Sequence, residues 1–110
     1  MARSVYDLTK DFPKEEIYTL SDQMKRSAVS VASNIAEGAA RQTDKEFLHF
    51  LYIALGSASE LDTQIEICKT LSFRNIRQEM LDDVQSEIDA ISRMIQGLIS
   101  KVKQKRPDSC

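Results

Sequence analysis

Apolar residues recur at intervals of three and four along most of this chain. Between Pro13 and Gly38 the series is Ile17, Leu20, Met24, Ala28, Val31 and Ile35. Between Thr43 and Ser72 it is Leu48, Leu51, Leu55, Ala58, Leu61, Ile65 and Cys68. Beyond Asn75 it is Ile76, Met80, Val84, Ile88, Ile91, Ile95, Leu98 and Val102. Such spacing puts each series on one face of a helix that turns every ~3.6 residues. Strict alternation, the mark of a half-buried strand, is absent over any useful length. The pattern predicts long helices over 14–39, 43–72 and 75–103, after a short one at 2–10.

The breaks between these series carry helix-boundary chemistry. Phe12 precedes a proline and is steered away from the helical region, while Pro13 suits a first helical position. Glu15 and Glu16 then favour the positive end of the helix dipole. Thr43-Asp44-Lys45-Glu46 has the form of a capping box, and Asn75 with Gln78 repeats it more weakly. Connections this short favour antiparallel neighbours. The expected fold is all-α: an up-and-down antiparallel four-helix bundle with a shortened first helix. Residues 1–103 read as a single domain and 104–110, which contain Pro107, as a flexible polar tail.

Composition narrows the class. The chain has 110 residues, 42% of them apolar and 29% charged, as expected of a globular protein. Lys and Arg number 15 against 17 Asp and Glu, a net charge of −2 that excludes a strongly basic arm. With 3 Gly and 2 Pro there is little material for the many tight turns of a β-sandwich. Cysteine usage, Cys68 and the terminal Cys110, is too sparse for a secreted disulfide scaffold, so a cytoplasmic location is expected. Met1 to Asp11 carries Arg3, Asp7, Lys10 and Asp11, unlike a signal peptide. The most apolar run, Phe47 to Leu55, falls far short of the roughly 20 residues a membrane span needs.

Two features point to self-association. At ~1.5 Å per residue the last helix would run about 45 Å and the first about 14 Å, too short to cover its partners. In addition, Phe47, Phe50, Leu51, Tyr52 and Ile53 surround their helix rather than forming one stripe. A segment apolar on most sides is usually buried on most sides. Phe47, Phe50, Tyr52 and Ile53 are therefore candidates for an oligomer interface.

Several motifs carry a family resemblance. Phe12-Pro13-Lys14-Glu15-Glu16 is followed by Tyr18, Leu20, Gln23 and Lys25-Arg26-Ser27-Ala28-Val29-Ser30, then Asn34-Ile35-Ala36-Glu37-Gly38 with Arg41. Phe47-Leu48 and Ala54-Leu55-Gly56-Ser57 lead to Glu60-Leu61 and Thr63-Gln64. Over about residues 5–72 the chain resembles the four-helix-bundle family encoded within intervening sequences of bacterial 23S ribosomal RNA genes. It is also similar to the accessory variability protein of diversity-generating retroelements. The resemblance implies an up-and-down bundle, often a homopentameric ring, with no established catalytic activity. One departure is that the family's first helix normally starts roughly 15 residues earlier, about 22 Å at 1.5 Å per residue. Two readings follow from the resemblance: the start at Met1 falls within that helix, or the bundle is incomplete along it.

The motif residues Asn34, Glu37, Gly38, Gly56, Ser57 and Glu60 invite structural roles. Gly56 lies inside an otherwise good helix at a cost of about 1 kcal/mol relative to Ala, and close helix–helix approach would explain it. Asn34, Glu37 and Glu60 would form a polar network fixing register between two helices, since unsatisfied buried polar atoms are costly. The competing reading places Asn34, Glu37 and Arg41 around a nucleic-acid or ligand site.

Catalytic patterns are scarce. Glu46-x-x-His49 has the spacing of one half of a di-iron motif, but His49 is the chain's only histidine and Glu46 serves the capping box. His49 and Cys68 would lie ~28 Å apart along one helix, too far to act together. No phosphate loop or nucleophile elbow is present. The chain reads as a non-enzyme with no cofactor, no metal and no small-molecule substrate. Candidate nucleic-acid contacts are Lys25, Arg26, Arg41, Lys101, Lys103 and Lys105. Against them, Arg77 and Arg93 are outnumbered by Glu79, Asp82, Asp83, Glu87 and Asp89. The expected function is an oligomeric interaction scaffold, associated with ribosomal RNA or an RNA-processing partner. The alternative is a nucleic-acid-binding accessory protein working with a reverse transcriptase.

Overall fold

The helical periodicity becomes four helices in the computed structural model, which describes residues 1–10, 18–71 and 78–104. They are α1 (Ala2–Thr9), α2 (Tyr18–Ala39), α3 (Asp44–Leu71) and α4 (Gln78–Gln104), with no strand among the described residues. The boundary signals at Pro13 and at Asn75–Gln78 fall on or against residues outside the described set. Gln104, expected to open the flexible tail, instead closes the last turn of α4.

The best-defined boundary is the start of α3. The Glu46 N–H donates to Thr43 Oγ1 at 3.2 Å, and that hydroxyl donates to Glu46 Oε1 at 3.0 Å. One of the orphan donors of the first turn is thereby satisfied. Just before it, the Ala40 N–H reaches the carbonyls of Ala36 and Glu37, and the Arg41 N–H reaches that of Gly38. The last carbonyls of α2 are used in this way while the chain reverses. Asp44 and Glu46 in the first turn of α3 and Lys69 in its last turn suit the helix dipole.

Side-chain pairs establish the antiparallel order. Met24 meets Cys68 and Ser30 meets Ser57 across α2 and α3. Lys69 meets Asp82, and Gln85 meets Asp62, across α3 and α4. In each seam the numbering rises on one helix as it falls on the other. α3 packs against both α2 and α4, and α1 packs in turn against α2 and α4, whose backbones stay farther apart. The first helix is thus a short wedge in the gap between α2 and α4.

The core follows most of the predicted faces, with Ala54 and Leu81 buried in addition to the expected series. Met24, Ala28 and Val31 of α2, Leu51, Ala54, Ala58, Leu61 and Ile65 of α3, and Leu81, Val84, Ile88 and Ile95 of α4 are buried, with Val5 and Leu8 of α1 closing one end. On α4 the line facing α1 runs through Met80, Asp83, Val84 and Glu87, which line a cleft with Ser4 and Asp7. The next positions at helical spacing are Ile91, Met94 and Leu98. Met94 is 69% exposed and Leu98 38%. The eight residues of α1 span about 12 Å and leave this part of the line uncovered, as the length of the first helix predicts.

The two motif glycines exchange roles. Gly56 does not sit at a close approach within the chain: it is exposed, and a Cβ there would meet nothing within 4 Å. Gly38 is buried, and a Cβ there would lie 2.8 Å from Phe50 Cβ and 2.9 Å from Phe47 Cδ1. It lies within the last turn of α2, where only a missing side chain lets the first turns of α3 fold back tightly. Gly38→Ala should destabilise the protein by about 1–3 kcal/mol through overpacking. Gly97→Ala, at an open and exposed helical position, should stabilise it by about 0.5–1 kcal/mol. Urea midpoints of the two variants, measured side by side, check the pair; equal shifts would remove the role assigned to Gly38.

Candidate functional site

The α2–α3 seam gathers the motif residues. Ser30 and Ser57 share a hydrogen bond of 2.8 Å between their hydroxyls, the direct polar link between the two helices in the middle of the seam. Asn34 donates to the Ser30 carbonyl at 2.8 Å and to its Oγ at 3.0 Å, fixing the rotamer of the serine. The polar link across the seam is therefore Ser30–Ser57, with Asn34 tied to Ser30 along α2, in place of the expected network of Asn34, Glu37 and Glu60. Glu37 is not part of that link; it pairs along its own helix with Arg41 at 3.3 Å, and Glu60 accepts no hydrogen bond within the chain. A serine pair does what a charged pair would do here at far lower desolvation cost, because both hydroxyls donate and accept.

One turn further toward the start of α2, the seam opens into a groove of about 350 Å³. It is lined by Gln23, Arg26, Ser27 and Ser30 of α2 and by Glu60 and Gln64 of α3. All of these fall within the stretches that carry the family resemblance. Gln64 is only 8% exposed, and its Oε1 has no hydrogen-bond partner. Arg26 is held through Nε by Asp22 at 2.9 Å. Sequence reading placed Glu60 in a packing role and passed over Gln64, because a lone glutamine at a helical position gives no chemical signal.

The basic residues separate into two places. Lys25 lies over the Tyr6 ring at 5.5 Å, and Arg26 is paired with Asp22, both midway along α2. Arg41 sits some 15 positions onward, about 22 Å at 1.5 Å per residue, so one chain does not join it to Lys25 and Arg26 in a single patch. It stacks over Phe50 at 5.0 Å while pairing with Glu37. The topology brings Arg41 instead to the end of the bundle where α4 finishes with Lys101 and Lys103, the latter over Tyr52 at 5.5 Å. Lys105 lies outside the described residues.

The apolar belt of α3 also divides. Phe47 and Phe50 are half-buried against Gly38 and are spent within the chain, whereas Tyr52 and Ile53 face outward. On the opposite edge of α3, Gln85 donates to Asp62 at 2.9 Å and to Glu66 at 2.8 Å, and Lys69 joins Asp82 at 2.9 Å. The hydrogen bond that Lys69 donates to Asp82 holds its ammonium above the ordinary pKa against the opposing effect of desolvation. The charge of Lys69 is thus committed to the α3–α4 seam.

Candidate chemistry elsewhere is not assembled. His49 is exposed and stands edge-on to Phe50 with ring centroids 5.5 Å apart. No cluster of three or more His, Cys, Asp or Glu side chains suited to a metal ion occurs among the described residues. Among them, no helix is long and apolar enough to cross a membrane. Cys68 is 1% exposed, with its sulfur 3.8 Å from that of Met24, and burial pushes its thiol up to about 11.

Fold and seam together define a small all-helical bundle protein built around an antiparallel α2–α3 hairpin. The chain belongs to the 23S rRNA-intervening sequence protein family, whose profile matches residues 1–97. Its fold is similar to the crystal structure of a protein of unknown function from the S23 ribosomal protein family of Bacteroides thetaiotaomicron. That comparison has a TM-score of 0.81 and 25% sequence identity, covering 89% of this chain and 90% of the other. No curated protein matches the sequence.

The environment of Cys68 makes it a packing residue rather than a nucleophile, since the thiolate is the reactive form. In a Cys110→Ser variant, Cys68 should resist a thiol-specific reagent at neutral pH and react fully once the protein is unfolded. Rapid modification of the native protein, followed by absorbance of the released chromophore, would contradict that assignment.

Proposed function

We propose that this protein is a non-enzymatic scaffold that works as a homo-oligomer, in the five-membered ring that the family resemblance implies. The observation that carries this reading is the outward face of α3. Ile53, 39% exposed, and Ile67, 44% exposed, share one helical line with Gly56, a glycine in a helix interior with open space above it. Such a glycine costs about 1 kcal/mol relative to Ala, and nothing within the chain uses the space it leaves. A helix from a neighbouring subunit would use it, and would cover both isoleucines and Tyr52 alongside. Light scattering at tens of micromolar should return a multiple of the 12.5 kDa chain mass. Gly56→Leu and Ile53→Glu should lower that mass while helical content persists. A monomer in the wild-type protein would end this reading.

The partner that best fits such an assembly is structured RNA, the ribosomal association that the family name suggests. Arg41, Lys101 and Lys103 share one end of the bundle, and a ring would repeat that end in every subunit, turning weak contacts into avidity. Lys25 forms a second, separate contact point along α2. The chain has no Trp, and Tyr6, Tyr52 and Phe50 already lie under cations, so base stacking has few platforms. Recognition would then rest on phosphates and shape, with log affinity falling linearly with log salt. Titration of a structured RNA at about 50 and about 200 mM salt should show the steep loss such contacts give. The Arg41→Glu, Lys101→Glu and Lys103→Glu triple variant should weaken different RNAs alike without changing the mass of the oligomer. Absence of binding at the lower salt would leave a scaffold whose partner is a protein, and binding that tracked an adjacent reverse transcriptase instead would favour an accessory role.

A further inference from the structure

The groove between α2 and α3 has a composition that packing alone does not require. Its lining is rich in acceptors: Glu60, Gln23, Ser27 and Ser30 stand around it, and Gln64 packs against it with its amide oxygen out of solvent contact. Among the described residues neither Glu60 nor the Ser27 side chain has a hydrogen-bond partner, and Gln64, more than nine-tenths buried, keeps an amide oxygen without a donor. A buried acceptor left unpaired is costly, and buried polar groups in folded proteins are nearly always paired. The terminal torsion of a glutamine is soft, so the Gln64 amide can turn to meet a donor placed in the groove. The one cation on the wall, Arg26, is already neutralised by Asp22 at 2.9 Å. Glu60 is left as the uncompensated charge of the site.

An acceptor-rich groove with one excess negative charge selects a donor-rich cation. We propose that this groove binds a primary ammonium or guanidinium group. Glu60 supplies the charge-assisted hydrogen bond, and Gln64 Oε1 and the Ser27 hydroxyl accept its remaining N–H donors. Such bonds are shorter and stronger than neutral ones, which makes Glu60 the dominant determinant. The groove is open along the seam, so a chain can extend behind that head. That chain is either the alkyl body of a free amine or guanidine compound, or an arginine or lysine side chain of a peptide. All of its groups lie within one chain, but Glu60 shares the outward line of α3 with Gly56 and Ile67, so a subunit helix covering that whole line would compete with the ligand for Glu60.

Isothermal titration and amide chemical shifts of the intact protein, with agmatine, spermidine and a blocked arginine tripeptide as separate probes, test this. Saturable binding of agmatine or spermidine, with shifts centred on Ser27, Glu60 and Gln64, supports the proposal and indicates a free ligand. Binding of the tripeptide as well supports it and extends it to protein side chains. Glu60→Gln, a change at an exposed position that should not disturb folding, should weaken the effective probe about tenfold or more, as expected for loss of one ionic hydrogen bond. Gln64→Leu, with its melting curve checked, should weaken it severalfold, and Asp89→Asn, an exposed acid on α4, should leave it unchanged. The proposal is overturned if no probe saturates up to about 10 mM, far weaker than specific recognition. It is equally overturned if Asp89→Asn and Glu60→Gln lower affinity alike, which would mean diffuse attraction to an acidic surface.

Discussion

Everything else in this molecule is arranged around the approach of two helices at a single buried glycine. Where α2 ends and α3 begins, Gly38 faces Phe47 and Phe50 at distances a Cβ could not tolerate. That contact brings the start of α3 against the last turn of α2 and sets how far the hairpin closes. The Thr43–Glu46 cap fixes where α3 starts, so the position of the phenylalanines relative to Gly38 leaves little freedom. Down the seam the Ser30–Ser57 hydroxyl pair and then the Met24–Cys68 contact hold the same register. With the hairpin set, α4 is placed by its apolar face and by the Lys69–Asp82 and Gln85 contacts, and α1 fills part of the remaining gap.

This order of dependence explains an asymmetry of surfaces. The inner faces of the helices are consumed by the core, while the outward face of α3 and the upper line of α4 keep isoleucine, methionine and leucine in solvent. Single exposed apolar residues are ordinary, but a line of them around an open glycine is a surface shaped for another helix. The polar groove lies beside that face, and its chemistry differs in kind. Its acceptors need donors, whereas the apolar line needs area. Glu60 belongs to both, so packing and recognition meet on one face of α3.

The positive charges show the opposite behaviour, since most are already engaged. Arg26 and Arg41 pair one turn back along their own helix, and Lys25, Arg41 and Lys103 lie over aromatic rings. Pairs this exposed contribute little to stability, and a phosphate could displace the carboxylates at small cost. Their arrangement matters more than their number. Two of the clusters that look separate in sequence, around residue 41 and around residues 101–103, share one end of the bundle because α2 and α4 run parallel.

The number of helices, their faces, the capped start of α3 and the shortness of α1 were all legible in the sequence. Each depends on interactions within a few residues: a 3.6-residue period, a hydroxyl three positions from an amide, a rise per residue multiplied by length. The burial of Leu51, Ala58, Leu61 and Ile88 follows from that same period. What each glycine does could not be read locally, because Gly38 and Gly56 both interrupt helical sequence and differ only in what lies opposite them. The same holds for Glu60, Gln64 and Ser57. Whether a polar residue at a helical position bonds across a seam, lines a groove or faces water depends on the rotation and spacing of a second helix, and only tertiary packing fixes those quantities.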